Sequence, residues 1–216
     1  SPGGNEDTRM PDKPVITVKR KFPYLVSGLT DGQLVDENNR PLPVQQPVTA
    51  LCRCGRSACQ PRCDGAHGMD GICDAMKCRT AGKVRDYPGR DITIHDNRRI
   101  CSHDGSCLRL LPAVFNLERK PWIEPDAAPV AEIIAAIAQC PSGALACTVN
   151  GVRQPDPVRP PRLRVRDSGP LQVSGSLALH DDLGSQPANP ERYELCRCGQ
   201  TGNIPFCDGT HCRSTD

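Results

Sequence analysis

The sequence predicts a mixed α+β fold in which two related, strand-rich units flank a segment of different composition. Three observations support this: a motif that recurs near both ends, short β-branched runs ahead of each copy, and one well-defined helix between them. The copies read CRCGRSACQPRCDGAH from residue 52 and CRCGQTGNIPFCDGTH from residue 196. So many matches at one spacing indicate an internal repeat rather than chance in a cysteine-rich chain.

The composition points to metal ligation as a source of stability. The 216 residues carry a net charge of +2 from 27 basic and 25 acidic residues, which gives no electrostatic reason to bind nucleic acid or an anionic membrane. Leu, Ile, Val and Phe make up about a fifth of the chain, too few for a core to offset the entropy of folding readily. Fourteen Cys and five His could supply the missing cohesion as metal ligands.

Targeting signals are not evident. No run approaches the roughly 20 apolar residues of a membrane span, and the start, SPGGNEDTRMPDK, has no apolar signal-peptide centre. We therefore expect a cytoplasmic protein whose cysteines bind metal rather than form disulfides. Residues 1–13 are expected to be a disordered N-terminus.

Each end unit is predicted to be a small set of short strands that ends in the cysteine motif. Residues 15–18 and 24–26 in the first unit, and 163–165 in the second, are rich in strand-forming residues. The segments PYLVSG and PLQVSG match at an offset of 147, while the cysteine motifs match at 144. We assign residues 14–70 and 162–216 to the two units.

The segment between the units, residues 71–150, is predicted to fold separately. Its helix should begin at Pro125-Asp126 and end at Cys140-Pro141, with apolar residues spaced for one helical face. Strands are predicted at 91–95 and 145–149. Residues 151–161 contain four prolines and are predicted to be a stiff, extended linker.

The end motifs follow the pattern C-x-C-x8-C-x3-H, which can surround a metal centre with three thiolates and one imidazole. Asp64 and Asp208, each followed by Gly, suit the first turn of a short helix that would direct His67 and His211 toward the Cys-x-Cys loop. Three Cys with one His is also a normal structural zinc set. Spacing alone leaves an iron–sulfur cluster and zinc open.

The motif CRCG, then Ser or Thr, Pro, and CDGAH or CDGTH, resembles the CDGSH iron–sulfur family, the mitoNEET-like proteins. The resemblance implies a 2Fe-2S cluster in each unit, held by Cys52, Cys54, Cys63 and His67 and by Cys196, Cys198, Cys207 and His211. The family commonly dimerises by strand exchange, and two copies in one chain resemble its monomeric members, in which the halves form an internal pseudo-dimer. Ala66 and Thr210 replace the second Ser of the signature, at positions that are not ligands.

The middle segment carries a second cysteine pattern, with Cys101 and Cys107 in C-x2-D-x2-C and then a remote Cys140-Pro141. Residues 85–149 resemble the divergent single-cluster ferredoxin family, which implies a small ferredoxin-like α+β domain. Bacterial ferredoxins use C-x2-C-x2-C and a remote C-P, and here Asp104 replaces the middle Cys. Three thiolates favour a 3Fe-4S cluster; the alternative is 4Fe-4S with Asp104 as the fourth ligand.

The remaining cysteines and several other residues receive structural assignments. Cys59 and Cys212 are predicted to be spare thiols. So are Cys73, Cys78 and Cys147, with a small metal site or an additional ferredoxin ligand as the alternative. His103 is predicted to be a surface or turn histidine, and Trp122 a packing residue.

The expected function is one-electron transfer by a multi-cluster iron–sulfur protein, a monomer with an internal pseudo-two-fold. The sequence shows no Gly-rich loop between a strand and a helix and no nucleophile–base pair, so we do not expect an enzyme. The alternative is cluster transfer or redox and pH sensing, because a His ligand can be protonated. A zinc-stapled interaction module is a further alternative. The expected partner is a redox protein or an apo-acceptor.

Overall fold

The computed structural model describes residues 13–66, 84–182 and 184–210. Apart from Lys13, the N-terminus predicted to be disordered lies outside these ranges. The described residues form short strands and two α-helices: β1 (Val15–Val18), β2 (Tyr24–Ser27), β3 (Leu34–Val35), β4 (Val48–Leu51), β5 (Arg85–Pro88), β6 (Ile92–Asp96), α1 (Ser106–Leu110), α2 (Val130–Ala138), β7 (Leu145–Val149), β8 (Val152–Arg153), β9 (Arg162–Val165), β10 (Leu171–Ser174), β11 (Ala178–Asp181) and β12 (Arg192–Leu195).

The two end units exchange strands. One sheet has the order β11-β1-β2-β4 and another has the order β12-β10-β9-β3. The parallel pair of β1 with β11 aligns Val15 with Ala178, and the parallel pair of β3 with β9 aligns Leu34 with Leu163. Each sheet therefore contains three strands from one unit and one strand from the other.

Alternating burial along the strands places one face of each sheet in a common core. In β1 and β9 the second and fourth residues are buried, and in β2 and β10 the first and third are, the period expected of half-buried strands. Side chains of both units form one apolar cluster. The buried Tyr24 hydroxyl also donates to the Cys196 carbonyl at 2.7 Å, so a first-unit side chain supports the second ligand loop.

The middle segment has its own antiparallel sheet, β5-β6-β7-β8, and its own apolar core. The predicted strands at 91–95 and 145–149 correspond to β6 and β7. Helix α2 begins at Val130 rather than at Pro125, because Ala128 and Pro129 are extended and separate it from a 3₁₀ turn at Pro125–Ala127. A residue before proline is disfavoured in the helical region, which accounts for the later start.

The Pro-rich segment is held at several points. Val152 and Arg153 form β8 and extend the middle sheet. Further on, Arg159 donates to the Ala138 carbonyl at 2.6 Å, and Asp156 pairs with Arg192 at 2.6 Å. The segment therefore fixes the middle domain against the second unit as well as connecting them. Among the described helices, none has the length and apolar character needed to cross a membrane.

Candidate metal centres

The first ligand loop brings its cysteines together through backbone hydrogen bonds. The Cys52 amide donates to the Pro61 carbonyl at 2.8 Å, and the Cys63 amide donates to the Ala50 carbonyl at 3.0 Å. These bonds fold the loop back onto β4. The Sγ atoms of Cys52 and Cys54 are 3.7 Å apart.

The second loop repeats this geometry. The Cys196 amide donates to the Pro205 carbonyl, and the Cys207 amide donates to the Glu194 carbonyl, both at 2.9 Å. The Sγ atoms of Cys196 and Cys198 are 3.6 Å apart. Two thiolates bound to one tetrahedral metal at about 2.3 Å would lie about 3.8 Å apart, so each Cys-x-Cys pair fits a shared metal atom.

Side chains that are not ligands hold both loops in shape. The Ser57 and Thr201 hydroxyls each donate to the carbonyl five residues later, at 2.6 and 2.7 Å. The Asp64 and Asp208 carboxylates each accept from the amide two residues on, at 2.9 and 3.0 Å. Both contacts are of the kind that an Asp makes at the start of a helical turn.

Some of the sequence-predicted residues are not covered by the structure. His67, His211, Cys73, Cys78 and Cys212 lie outside the described residues, so their roles remain predictions. No disulfide joins any of the cysteines within the described ranges. Within those ranges, no group of three or more Cys, His, Asp or Glu side chains is arranged to hold a single metal ion.

The middle domain encloses a third candidate site. Cys101, Cys107 and Cys140 line one cavity of about 150 Å³, together with Trp122. Cys101 follows a 3₁₀ turn, Cys107 lies in α1, and Cys140 follows the end of α2. The structure thus brings together three residues separated by up to 39 positions, as the ferredoxin resemblance implies.

Burial shapes the thiol chemistry of these sites. It raises the pKa of Cys101 and raises that of Cys107 to about 11. At the second loop, the hydrogen bond with Cys198 lowers the pKa of Cys196 to about 6, against the effect of burial, while the pKa of Cys198 is raised. A metal must displace the remaining protons when it binds, since only the thiolate is a ligand.

Asp104 lies at the rim of the middle cavity, but cationic partners engage its carboxylate. One oxygen accepts from Ser106 and, at 3.4 Å, from Arg109; the other pairs with Arg166 of the second unit. Burial raises the pKa of Asp104, but the contacts with Ser106 and Arg166 outweigh it, so the pKa lies below its usual range. The carboxylate therefore has partners other than a metal.

Trp122 packs in the middle core, as predicted, and also forms part of the cavity wall. The Arg98 guanidinium lies over its ring at 4.0 Å from the centroid, and the same side chain pairs with the buried Asp96 at 3.0 Å. This stack was not predicted, since Arg98 and Trp122 are distant in sequence and the sequence does not show that they meet.

The two end loops pack back to back. A Cβ on Gly55 would lie 3.3 Å from the Arg197 carbonyl oxygen, and one on Gly199 would lie 3.4 Å from the Cys54 Cα. Backbone therefore approaches backbone beside both Cys-x-Cys pairs. These are close contacts between two ligand loops that are 144 residues apart.

The middle site in turn contacts the second loop. A Cβ built on Gly209 would collide with the His103 ring and would lie 3.2 Å from the Cys101 carbonyl oxygen. The Asn203 side chain donates to the Arg99 carbonyl at 3.3 Å. His103 is therefore a turn histidine, as predicted, but it also joins two candidate sites, and no sequence signal indicated that contact.

Comparisons with known proteins agree with this geometry. Residues 22–68 and 168–212 match a family model described as iron-binding zinc finger, CDGSH type, and residues 87–150 match one described as divergent 4Fe-4S mono-cluster. The uncharacterized protein YjdI of Escherichia coli K12 is 48% identical over 64 residues, which is 30% of this chain and 84% of YjdI. YjdI of E. coli O157:H7 matches to the same extent. No solved structure matches the chain.

The fold, the cysteine sites and these matches define an iron–sulfur-binding protein. The resemblances drawn from the sequence are confirmed, as is the α+β class with two units around an inserted domain. The chain belongs to the CDGSH-type iron-binding family and carries a divergent 4Fe-4S mono-cluster domain between its two CDGSH regions.

Proposed function

We propose that this protein transfers single electrons through three iron–sulfur clusters held in contiguous sites. The observation that carries the proposal is the chain of contacts from the middle cavity to the second loop at Gly209, and from the second loop to the first at Gly199 and Gly55. A relay needs its centres close together, and these contacts bring the three ligand sets next to one another. We do not propose an enzymatic reaction.

The ligand sets proposed are those that the sequence suggested. Each end loop would hold a 2Fe-2S cluster through its three Cys and its His, and Cys101, Cys107 and Cys140 would hold a 3Fe-4S cluster. The arginine contacts of Asp104 favour this assignment over a 4Fe-4S cluster with Asp104 as a ligand, which remains the alternative. Such clusters, when bound, accept and return one electron.

The residues of the chain hold the sites and limit the access of water. Cys52, Cys196 and Cys207 are buried, and the loop hydrogen bonds fix the thiols without help from a partner chain. The exchanged strands β3 and β11 complete the two sheets within one chain, which supports an internal pseudo-dimer and a monomer in solution.

The test combines iron and sulfide analysis with electron paramagnetic resonance and sedimentation. We expect about seven irons per chain, two in each end site and three in the middle, and the signal of an oxidised 3Fe-4S centre before reductant is added. Reversible reduction without loss of visible absorbance should follow, in a monomer. About eight irons with no such signal would support the four-iron alternative, and irreversible bleaching on reduction would contradict electron transfer.

A second function, donation of a cluster to an apo-acceptor or redox sensing, is favoured by one observation. Asp64, Gly65 and Ala66, which lead to His67, are exposed. Incubation with an apo-ferredoxin separates the two functions, because a donor passes its cluster on whereas a carrier retains it. A colourless protein that contains zinc would instead support the interaction module.

A further inference from the structure

The two CDGSH loops have different surroundings. The middle domain covers the turn of the second loop, because the Cys101 carbonyl and the His103 ring lie against Gly209, which is buried. The equivalent turn of the first loop is exposed, and a Cβ on Gly65 would meet no atom of the described residues within 4 Å. One loop is therefore enclosed, while the other is open.

The residues that attach the middle domain to the second unit have no counterpart in the first. Arg192 donates to the Leu145 carbonyl at 3.2 Å and also to the Cys140 carbonyl, but the residue 144 positions earlier is Val48. Asn203, which donates to the Arg99 carbonyl, corresponds to Cys59. Both Val48 and Cys59 are exposed, so the first unit leaves this face accessible.

The open loop also carries a basic rim, which we define as Lys19, Arg20, Lys21, Arg56 and Arg62. The equivalent residues of the second unit are Arg166, Asp167, Ser168, Gln200 and Phe206. The five residues of the rim carry a net charge of +5, whereas their five equivalents in the second unit carry no net charge. Arg53 donates to the Lys19 carbonyl at 3.0 Å, which places the 19–21 turn beside the Cys-x-Cys pair.

We propose that the first CDGSH site is the port through which this protein exchanges electrons with an acidic partner protein, while the second site, covered by the middle domain, exchanges electrons only with the other two sites of the chain. The proposal rests on the electron-transfer function above. Opposite charges steer association and orient the partner. Here the positive charges lie within the first loop and on the 19–21 turn that contacts it. The whole chain carries only +2, which favours a local contact with a protein over the extended phosphate contacts of a nucleic acid.

The rim can be tested without any cluster, because Cys59 is an exposed thiol within this loop. The rates at which anionic iodoacetate and neutral iodoacetamide alkylate Cys59 are measured by peptide mass spectrometry at low and high salt. Both reagents attack the same thiolate, so the ratio of the iodoacetate rate to the iodoacetamide rate does not depend on the thiolate fraction. The ratio therefore reports the electrostatic potential at Cys59. We expect the double variant Arg20→Asp/Arg56→Gln to lower the ratio about two- to fourfold at low salt, with the difference lost at high salt.

Two matched variants serve as controls. Arg56→Lys keeps the charge and should keep the ratio, and Arg90→Gln removes an exposed charge of the middle domain and should change nothing. An unchanged ratio of alkylation rates in the double variant would refute a positive potential at the first loop, whatever the metal content of the protein.

The second readout uses the loaded protein. The reduced protein gives one electron to ferricyanide, which becomes ferrocyanide, and the double variant should slow this reaction at low salt without slowing oxidation by cationic hexaammineruthenium(III). Equal slowing by both oxidants would overturn the port, as would salt-sensitive binding of a DNA duplex with an unchanged ferricyanide rate. A protein that cannot be reduced reversibly would refute electron transfer while leaving the alkylation result intact.

Discussion

Replacing Gly209 with alanine should cost far more than the same change at Gly65, although the two occupy equivalent positions. Both glycines are left-handed, with φ of +77° and +83°, so alanine adds about 1–2 kcal/mol of backbone strain at either position. At Gly65 no other atom of the part of the chain that the structure describes lies within 4 Å of the new methyl group. At Gly209 the new methyl group would also overlap the His103 ring, and overpacking of this kind costs about 1–3 kcal/mol more.

The assay is urea unfolding followed by circular dichroism and by the fluorescence of Trp122, the one tryptophan of the chain. With a urea slope of about 2–3 kcal/mol per molar, the extra cost of about 1–3 kcal/mol at Gly209 should lower the midpoint by about 0.3–1.5 M relative to Gly65→Ala. His103→Gly removes the ring, and its left-handed backbone, φ +59°, suits glycine. This change should recover the extra loss in the Gly209→Ala background, as a double-mutant cycle measures.

Equal midpoints for Gly209→Ala and Gly65→Ala would refute the packing of the middle domain on the second loop. Failure of His103→Gly to restore the midpoint would place the clash elsewhere. Both outcomes are independent of how many irons the sites hold.

Three further predictions concern the middle domain. Burial raises the pKa of Asp156, but the contacts with Arg192 and Asn189 together outweigh it, so the pKa lies below its usual range. Asp156→Asn should therefore cost about 2 kcal/mol at pH 7. This difference should fade as acid titrates the carboxylate below about pH 4, its unfolded pKa, in thermal melts of both proteins from pH 7 to pH 3. Arg98→Gln removes both the stack on Trp122 and the charged pair with the buried Asp96, and should cost about 2–3 kcal/mol, with a change in tryptophan emission. Asp104→Asn should leave the iron content unchanged, whereas a loss of iron by elemental analysis would make Asp104 a ligand.

The repeat made much of this fold predictable. Runs rich in strand-forming residues at 15–18, 24–26 and 163–165 predicted three strands, and the cysteine spacing predicted two loops of the same shape. The exchange of strands between the two units could not be predicted from the sequence in the same way. β3 has only two residues, and its partner β9 is distant in the chain, so local propensity carries no information about that pairing.

The attachment of the middle domain to the second unit was also not predicted, although the sequence carried one indication of it. Arg192 is a buried charge at a position where the other repeat has the apolar Val48. A buried charge requires a partner, so this departure from the repeat indicated a contact specific to the second unit. The partner, Asp156, lay in a segment predicted to be a linker, and a Pro-rich composition does not show which of its side chains will be anchored.

The parallel pairing of β1 with β11 affects how the chain folds during synthesis. Val15 leaves the ribosome more than 160 residues before its partner Ala178, an interval of about ten to thirty seconds at ordinary translation rates. Throughout that time β1 lacks this neighbour, and an unpaired strand edge is prone to join other chains. The middle domain, whose strands pair among themselves, can fold in the interval. The first unit therefore keeps an unpaired strand edge until the last quarter of the chain emerges.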